Sequence, residues 1–357
     1  MTNFERIKAI FDGEEPDQLP IFDLLCNDTV IEYYAGSKLT VENGPEVVPR
    51  AIKNMLDGTR SVTFPQRPGS TIDFQGFGRR IERWTSWIES RPFNSLSQLS
   101  DFARKDIESL KSWKTARQEE DNETKFIEKL KNDLDDTVIF YPCRSEALCY
   151  VYNMCGLDSF VYFQMDYPKL VQEWIDAFHQ ATLEQIDQFA DPILSPCGMI
   201  FSDIGFKKAL IFSPSYLEKM RYFTRLAELC DAYHQKGLKV VYHSDGYIMD
   251  IISELIKAGI DGLNPIEKAA GMKIREIKNL YGDKITIVGG IDVSELLPHG
   301  TKDDVYQEVR SIIRDVAPGG RFLIGSSSEL GNDVPLENAI AMVETVKEFG
   351  KYPIRRI

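Results

Sequence analysis

The carboxy-terminal half of this chain repeats one pattern five times, and the repetition constrains the fold more than any other feature. Each unit contains a short apolar run, a polar turn and a longer amphipathic stretch. The apolar runs begin at Gly198, Leu238, Ile260, Ile285 and Arg321. The amphipathic stretches predict helices at about 216–235, 249–257, 272–280, 302–316 and from Pro335 onward. Because strands that alternate with helices pair in parallel through right-handed crossovers, the pattern predicts an α/β fold with a parallel sheet.

Such a sheet either closes into a barrel or stays open. Open doubly wound sheets commonly carry a glycine-rich phosphate loop, G-x-G-x-x-G or G-x-x-x-x-G-K, and this sequence contains neither. We therefore favour a single (β/α)8 TIM barrel domain spanning residues 1–357, a length that one barrel can fill. Gln18–Asp23 is an expected early strand and Asp136–Tyr141 a central one, and residues 1–130 include an irregular, helical amino-terminal extension.

The charge balance narrows the classes of partner. With a net charge of −13, the chain is expected to repel nucleic acid and anionic membranes, which carry the same sign. The amino terminus lacks the apolar core of a signal peptide, and no run of about 18 apolar residues occurs, so we expect a cytoplasmic protein. The expected partners are small molecules and other proteins, and a homodimer is among the assemblies that the sequence allows.

The tetrad His243-Ser-Asp-Gly246 directly follows the apolar run Leu238–Tyr242. In a β/α barrel the carboxyl ends of the strands carry the chemistry, so this position favours a functional role for His243 and Asp245. A histidine on an apolar strand can also be a satisfied core residue, and an aspartate before a glycine can simply cap a turn. Both alternatives stay open for the tetrad.

Reading only the predicted strand ends gives a convergent set of polar side chains. The set contains Asp23, Arg144, Asp203, His243, Asp245, Glu267, Asp292 and Glu329. Some of these, Asp292 first among them, could instead cap helices. Arg144 could receive an anionic substrate group or serve as a charge partner. Many carboxylates with one histidine on one barrel face suit either a divalent metal or general acid–base work.

At these residues the sequence resembles the uroporphyrinogen decarboxylase superfamily. The phrases that carry the resemblance are Ser202-Asp-Ile-Gly205, Ser213-Pro214 before a long helix, His243-Ser-Asp-Gly246, Ala258-Gly-Ile-Asp-Gly-Leu-Asn-Pro265, Val288-Gly-Gly-Ile-Asp292 and Pro335-Leu-Glu-Asn338. The resemblance implies one (β/α)8 barrel with an amino-terminal helical extension.

The superfamily includes true decarboxylases, which bind porphyrinogen carboxylates with an arginine-bearing phrase just after the first strand. The corresponding stretch here, Phe22–Thr29, contains no arginine. A substrate with many carboxylates in an acidic site without those cations is electrostatically disfavoured. The decarboxylase alternative is therefore the weaker one.

The other branch contains zinc-dependent, corrinoid-linked methyltransferases that bind zinc through a His-x-Cys pair and a later cysteine. Here His243 matches the histidine, Asp245 stands at the first cysteine position, and Ser328 stands near the second. Zinc also accepts carboxylates, and Glu329 directly follows Ser328. The expected metal site is therefore His243, Asp245 and Glu329. An oxygen-rich site would suit the polarisation of an ether or amine methyl donor.

The resemblance thus implies a substrate-side methyltransferase that passes a methyl group from a small methoxylated or methylamine-type donor to a corrinoid carried by a partner protein. We assign catalysis to His243, Asp203 and Asp245. Arg144, Glu267 and Asp23 are assigned to substrate binding, with Asp203 and Glu267 also able to orient their neighbours.

A third alternative is a non-catalytic protein that binds a corrinoid or tetrapyrrole. Four aromatic residues could line an apolar ligand mouth in such a protein: Phe74, Phe77, Trp84 and Trp87. The same residues could equally belong to the amino-terminal core.

Overall fold

The computed structural model describes residues 1–112 and 117–354. Its strands are short, and most of them end where a polar turn begins. They are β1 (Leu25–Cys26), β2 (Gly58–Thr59), β3 (Gly69–Ile72), β4 (Gly78–Ile81), β5 (Ser86–Ser90), β6 (Val138–Ile139), β7 (Cys143–Ser145), β8 (Cys197–Phe201), β9 (Lys239–His243), β10 (Gly262–Asn264), β11 (Thr286–Val288), β12 (Phe322–Leu323) and β13 (Leu330–Gly331).

Eight parallel segments close into a barrel. Six strands form one parallel sheet in the order β12, β11, β10, β9, β8, β7. Strand β2 pairs in parallel with β6, which belongs to the same barrel segment as β7, residues 138–145. Residues 20–23 complete the circle, because Ile21 bridges to Ile324 just after β12 and Phe22 bridges to Gly58 in β2. The predicted α/β barrel is confirmed. The early segment 18–23 contributes bridges rather than a regular strand.

The first helix covers the amino-terminal end of the barrel. Its residues Ile7, Ile10 and Phe11 belong to one buried cluster with inward-facing strand residues such as Phe140 and Val241. A T-shaped contact places the Phe11 and Phe140 rings 6.1 Å apart. The apolar side chains of this helix therefore plug the barrel interior from below and leave the carboxyl ends of the strands as the open end.

The helices form the outer layer of the barrel and the amino-terminal part of the chain. They are α1 (Asn3–Asp12), α2 (Asp28–Ala35), α3 (Gly44–Met55), α4 (Leu96–Ser112), α5 (Arg117–Leu134), α6 (Ala147–Cys155), α7 (Leu157–Asp166), α8 (Pro168–Phe189), α9 (Pro214–Lys219), α10 (Tyr222–Gln235), α11 (Ile252–Lys257), α12 (Ile274–Tyr281), α13 (Leu296–His299), α14 (Lys302–Val316) and α15 (Leu336–Phe349). Short 3-10 turns cover Met249–Ile251 and Lys268–Ala270. None of the helices within the described residues is both long and apolar enough to cross a membrane.

The predicted helix boundaries agree with the structure except at one place. The helix expected over about 216–235 is divided into α9 and α10, because Arg221 adopts a left-handed conformation with φ of 55°. The α14 boundary follows from a capping box, in which the Thr301 side chain and the Asp304 backbone and side chain satisfy each other.

An antiparallel sheet of β3, β4 and β5 in the amino-terminal part was not expected from the sequence. Its strands are largely exposed, so they lack the alternation of buried and exposed residues that reveals a strand. The four aromatic residues considered for a ligand mouth lie in and around this sheet. Phe77 is fully buried in the core, whereas Phe74 and Trp87 are 96% and 54% exposed, and the Trp84 indole donates to Asp28.

A buried carboxyl group, Glu146, caps α6 directly after β7. Its Oε2 accepts a hydrogen bond from Cys149 N at 3.1 Å, while Oε1 is buried with no hydrogen-bond partner among the described residues. Burial raises the pKa of this carboxyl to about 7. The folded protein therefore favours the protonated form of Glu146 far more than the unfolded chain does.

This shift predicts a pH-dependent difference between the wild type and Glu146→Gln. Because the folded pKa lies above the unfolded one, Glu146 carries no penalty below about pH 4 and destabilises the fold as pH rises through 7. Between pH 5 and pH 8 the wild type should lose up to about 3 kcal/mol of unfolding free energy relative to the variant, measured by urea denaturation. Glu337→Gln, at an exposed first-turn position of α15, should show no such divergence. Parallel pH profiles for the wild type and Glu146→Gln would contradict the prediction.

Candidate active site at the carboxyl end of the barrel

His243 is the last residue of β9, and the register of the sheet determines its two neighbours. Phe201 at the end of β8 and Asn264 at the end of β10 are its paired residues. The Phe201 and His243 rings lie 4.7 Å apart, and Asn264 Oδ1 lies 2.7 Å from His243 Nδ1. The histidine is 3% exposed. Its Nδ1 edge is thus occupied, and its Nε2 edge faces the turns that follow β8 and β9.

Two carboxylates lie at the Nε2 edge of His243. The distance from Nε2 to Asp203 Oδ1 is 3.7 Å and to Asp245 Oδ1 is 3.9 Å. One donor atom from each of the three residues lies within 4.8 Å of the others. Both carboxyl groups are about half exposed, yet the Oδ1 atom of Asp245 is buried and has no hydrogen-bond partner among the described residues. Such a set can hold a divalent cation or share a proton.

Close contact between two turns brings these carboxylates together. A Cβ atom on Gly205 would lie 2.4 Å from the backbone oxygen of Asp245, so only glycine fits there. Gly246 has φ of 85°, a left-handed conformation that also favours glycine. The amide of Gly246 donates to Glu267 Oε2 at 2.7 Å, and the amide of Asp245 donates to Asp203 Oδ1 at 3.2 Å. Glu267 therefore orients the turn that carries Asp245.

Arg60, which the sequence analysis missed, lies at the centre of the site. It follows β2, and its guanidinium Nη1 is 3.3 Å from His243 Nδ1, while Nη2 donates to Glu329 Oε2 at 3.2 Å. The side chain is 8% exposed and lies over the Phe201 ring, 6.0 Å from the centroid. Glu329, expected at the metal, is thus bonded to Arg60, and Asp203 is the carboxylate found with His243 and Asp245.

The site shifts the pKa values of its members in opposite directions. Burial, and to a smaller extent the positive charge of Arg60, lower the pKa of His243 to about 3. Burial and the neighbouring Asp203 raise the pKa of Asp245 to about 7. Burial also raises the pKa of Asp203. His243 is therefore neutral at physiological pH, and the carboxyl pair retains a proton more readily than free aspartates do.

Asp23 lies at the closing seam of the barrel, where it is 2% exposed. Its carboxylate accepts hydrogen bonds from Leu24 N at 2.9 Å, Ser326 N at 2.7 Å and Ser326 Oγ at 2.7 Å. Burial raises its pKa to about 6 despite these bonds. These contacts tie residues 20–23 to the segment after β12.

Arg144 is not brought together with the site. On β7, Cys143 points inward, where its thiol approaches Arg60 O, and the next side chain therefore points outward. Arg144 lies over the rings of Tyr141 and Phe189 at 5.8 and 5.6 Å and donates to Glu123 Oε1 at 2.9 Å. Its position matches the charge-partner alternative.

Asp292 forms a local turn. Its Oδ1 accepts from Ser294 N at 3.0 Å, and its backbone oxygen accepts from Leu297 N at 3.0 Å. It therefore forms a turn before α13 and does not cap that helix, whose N-cap is Glu295.

A family model described as uroporphyrinogen decarboxylase (URO-D) matches residues 102–349, well over half of the chain. A solved structure of a methyltransferase from Methanosarcina mazei superposes on 98% of this chain and 99% of that chain, with a TM-score of 0.67 and 16% sequence identity. At that identity the likeness concerns the fold.

Two curated relatives match shorter segments. A uroporphyrinogen decarboxylase of Pseudoalteromonas translucida is 33% identical over 78 residues, which is 22% of this chain and 22% of that protein. A methylated-thiol–coenzyme M methyltransferase of Methanosarcina mazei is 32% identical over 71 residues, which is 20% of this chain and 18% of that protein. The matched segments thus span about a fifth of each relative.

Proposed function

The chain belongs to the uroporphyrinogen decarboxylase family, and on that premise we propose that it is a methyltransferase. It would move a methyl group from a small methoxylated or methylamine-type donor to a corrinoid held by a partner protein. The observation that carries the proposal is the group formed by Asp203, His243 and Asp245 at the open end of the barrel. The whole-chain likeness to a methyltransferase fold agrees with it.

The three residues fit a divalent cation. One imidazole nitrogen and two carboxylate oxygens are ligands that zinc accepts, and three protein ligands leave a fourth position for a substrate atom. The buried, unpartnered Oδ1 of Asp245 supports this assignment, because a buried carboxylate oxygen normally has a donor or a cation beside it. Glu267 would act outside the ligand set by holding the turn of Asp245 through Gly246 N.

In this proposal the chain binds the donor with its methyl-bearing atom near Asp203, His243 and Asp245. A cation held there would supply Lewis-acid polarisation of the donor oxygen or nitrogen. A cob(I)alamin held by the partner protein would supply the nucleophile that takes the methyl group, and the electron pair of the broken bond would stay on the donor oxygen or nitrogen. That atom then takes a proton from water at the open end of the barrel.

The site also allows acid catalysis without a cation. Asp245, with a pKa raised to about 7 by burial, is partly protonated at neutral pH and could protonate the leaving oxygen directly. Metal analysis of the purified protein separates this alternative from the first. We assign the cation-binding form because it also accounts for His243, which is neutral and carries a lone pair.

The decarboxylase alternative is disfavoured by the charges of the site. Among the site residues described above, Arg60 is the single cation, and Glu329 already neutralises it. A porphyrinogen carries several carboxylates that need cationic partners, whereas this site presents mainly carboxylates. Asp23 and Glu267, which we assigned to substrate binding, already accept backbone hydrogen bonds.

The experiment is a methyl-transfer assay with metal analysis. The purified protein is incubated with cob(I)alamin and a panel of methoxylated aromatics and methylamines, and methylcob(III)alamin formation is followed by absorbance. We expect turnover with a member of one donor class, stoichiometric metal, and no coproporphyrinogen from uroporphyrinogen. Steady decarboxylation would overturn the methyltransferase proposal in favour of a decarboxylase. Corrinoid binding without turnover of the methyl donors or of uroporphyrinogen would favour a binding protein.

A further inference from the structure

Asn264 contacts the imidazole of His243 on the edge opposite to the carboxylates. Its Oδ1 lies 2.7 Å from His243 Nδ1, and its Nδ2 donates to Val288 O at 3.2 Å. Asn264 is 2% exposed and His243 is 3% exposed, so water does not replace these contacts easily. Each polar atom in this network must therefore find its complement within the protein.

The backbone oxygen of Val288 determines which way the Asn264 amide points. A carbonyl oxygen only accepts, so the amide group that faces Val288 O must be the NH2 group. Turning the amide over would place two acceptor oxygens against each other in a buried position, which costs free energy. Asn264 thus presents Oδ1, an acceptor, to His243 Nδ1. The complementary state of Nδ1 is protonated.

Arg60 favours the opposite tautomer of His243, in which Nδ1 carries a lone pair. Its Nη1 is a donor and lies 3.3 Å from the same Nδ1 atom. Nδ1 cannot carry a proton for Asn264 and a free lone pair for Arg60 at once. The Asn264 contact is shorter by 0.6 Å, the difference between 3.3 and 2.7 Å, and Arg60 has a second acceptor in Glu329. The network is best satisfied with the proton on Nδ1.

We propose that Asn264 is a positioning residue that holds the Nδ1 proton of His243 and thereby keeps the Nε2 lone pair directed at Asp203 and Asp245. In this tautomer His243 can bind a cation through Nε2 and cannot donate a proton from that atom. The tautomer itself is a property of the metal-free protein, whereas its use in cation binding rests on the proposed function. Without Asn264, Arg60 would select the opposite tautomer and place a proton on Nε2.

The test is ¹⁵N NMR of metal-free protein labelled at histidine, with the His243 signals assigned by comparison with His243→Gln. We expect the wild type to show a protonated Nδ1 and an unprotonated Nε2. Asn264→Ala should move the proton to Nε2 and weaken zinc binding, measured by competition with a chromophoric chelator, by about 10- to 100-fold. Asn264→Asp keeps an acceptor at the same place and should retain the wild-type tautomer. Asn279→Ala, at an exposed position of α12, should change neither readout.

Two results would overturn the proposal: an Nε2-protonated His243 in the wild type, or unchanged tautomer and zinc affinity in Asn264→Ala. The wild-type spectrum decides the first of these even if the alanine variant does not fold. Absence of methyl transfer with the expected tautomer intact would count against the proposed function alone.

Discussion

Replacing His243 by alanine is expected to reduce methyl transfer by about 1,000-fold, because Lewis-acid activation contributes several kcal/mol and each 1.4 kcal/mol changes the rate tenfold. The variant removes the proposed nitrogen ligand, Nε2, which lies 3.7 and 3.9 Å from the Oδ1 atoms of Asp203 and Asp245. The purified variant should also lose its bound metal. Initial rates of methylcob(III)alamin formation and elemental analysis measure the two effects.

His299→Ala is the matched control, since His299 lies exposed at the end of α13. It should retain the wild-type rate and metal content. A metal-free wild type that is active would contradict the ligand role of His243. Wild-type turnover by His243→Ala would remove His243 from the reaction altogether.

Replacing Gly325 by alanine is expected to cost about 3 kcal/mol or more of unfolding free energy, because overpacking against a rigid neighbour cannot be relieved by a side-chain rotation. A Cβ atom at this position would lie 1.7 Å from the backbone oxygen of Phe22. The two strands would have to separate where Phe22 N donates to Ile324 O at 2.8 Å and Ile324 N donates to Pro20 O at 3.0 Å. The seam that closes the barrel would therefore open.

Urea denaturation followed by circular dichroism measures this effect. Gly69→Ala, in exposed β3, provides the comparison, because its Cβ would meet no atom within 4 Å. That variant should change the unfolding free energy by less than about 0.5 kcal/mol. Equal stabilities for the two variants would show that the seam tolerates separation and that the barrel closure is looser than its hydrogen bonds indicate.

The sequence was sufficient to predict the parts of the fold that are governed by regular periodicity. The boundaries of α14 and the positions of β8 to β12 follow from apolar runs and capping residues, which act locally. His243, Asp203 and Asp245 were found for the same reason, since each stands in or just after the end of a recognisable strand. The geometry that brings them together is a property of barrel closure, which the repeat pattern implies.

Residues that depend on tertiary register were not predictable in this way. Arg60 follows β2, which has only two residues, Gly58 and Thr59, and offers no periodic signal. Asn264 reads as an ordinary turn residue before Pro265, and only its pairing with His243 reveals its contact. Glu329 was expected at the metal because it follows a strand that the sequence predicts correctly. It contacts Arg60 instead, and nothing in the sequence indicated that this arginine lies in the site.

The helix α1, which plugs the amino-terminal end of the barrel, also has a consequence for enzyme kinetics. With that end filled by Ile7, Ile10 and Phe11, a methyl donor and a corrinoid must approach Asp203, His243 and Asp245 through the same opening. The larger reactant would block the passage of the smaller one. The proposed reaction should therefore follow ordered addition, in which the donor enters before the corrinoid protein, and the demethylated product leaves only after that protein has dissociated.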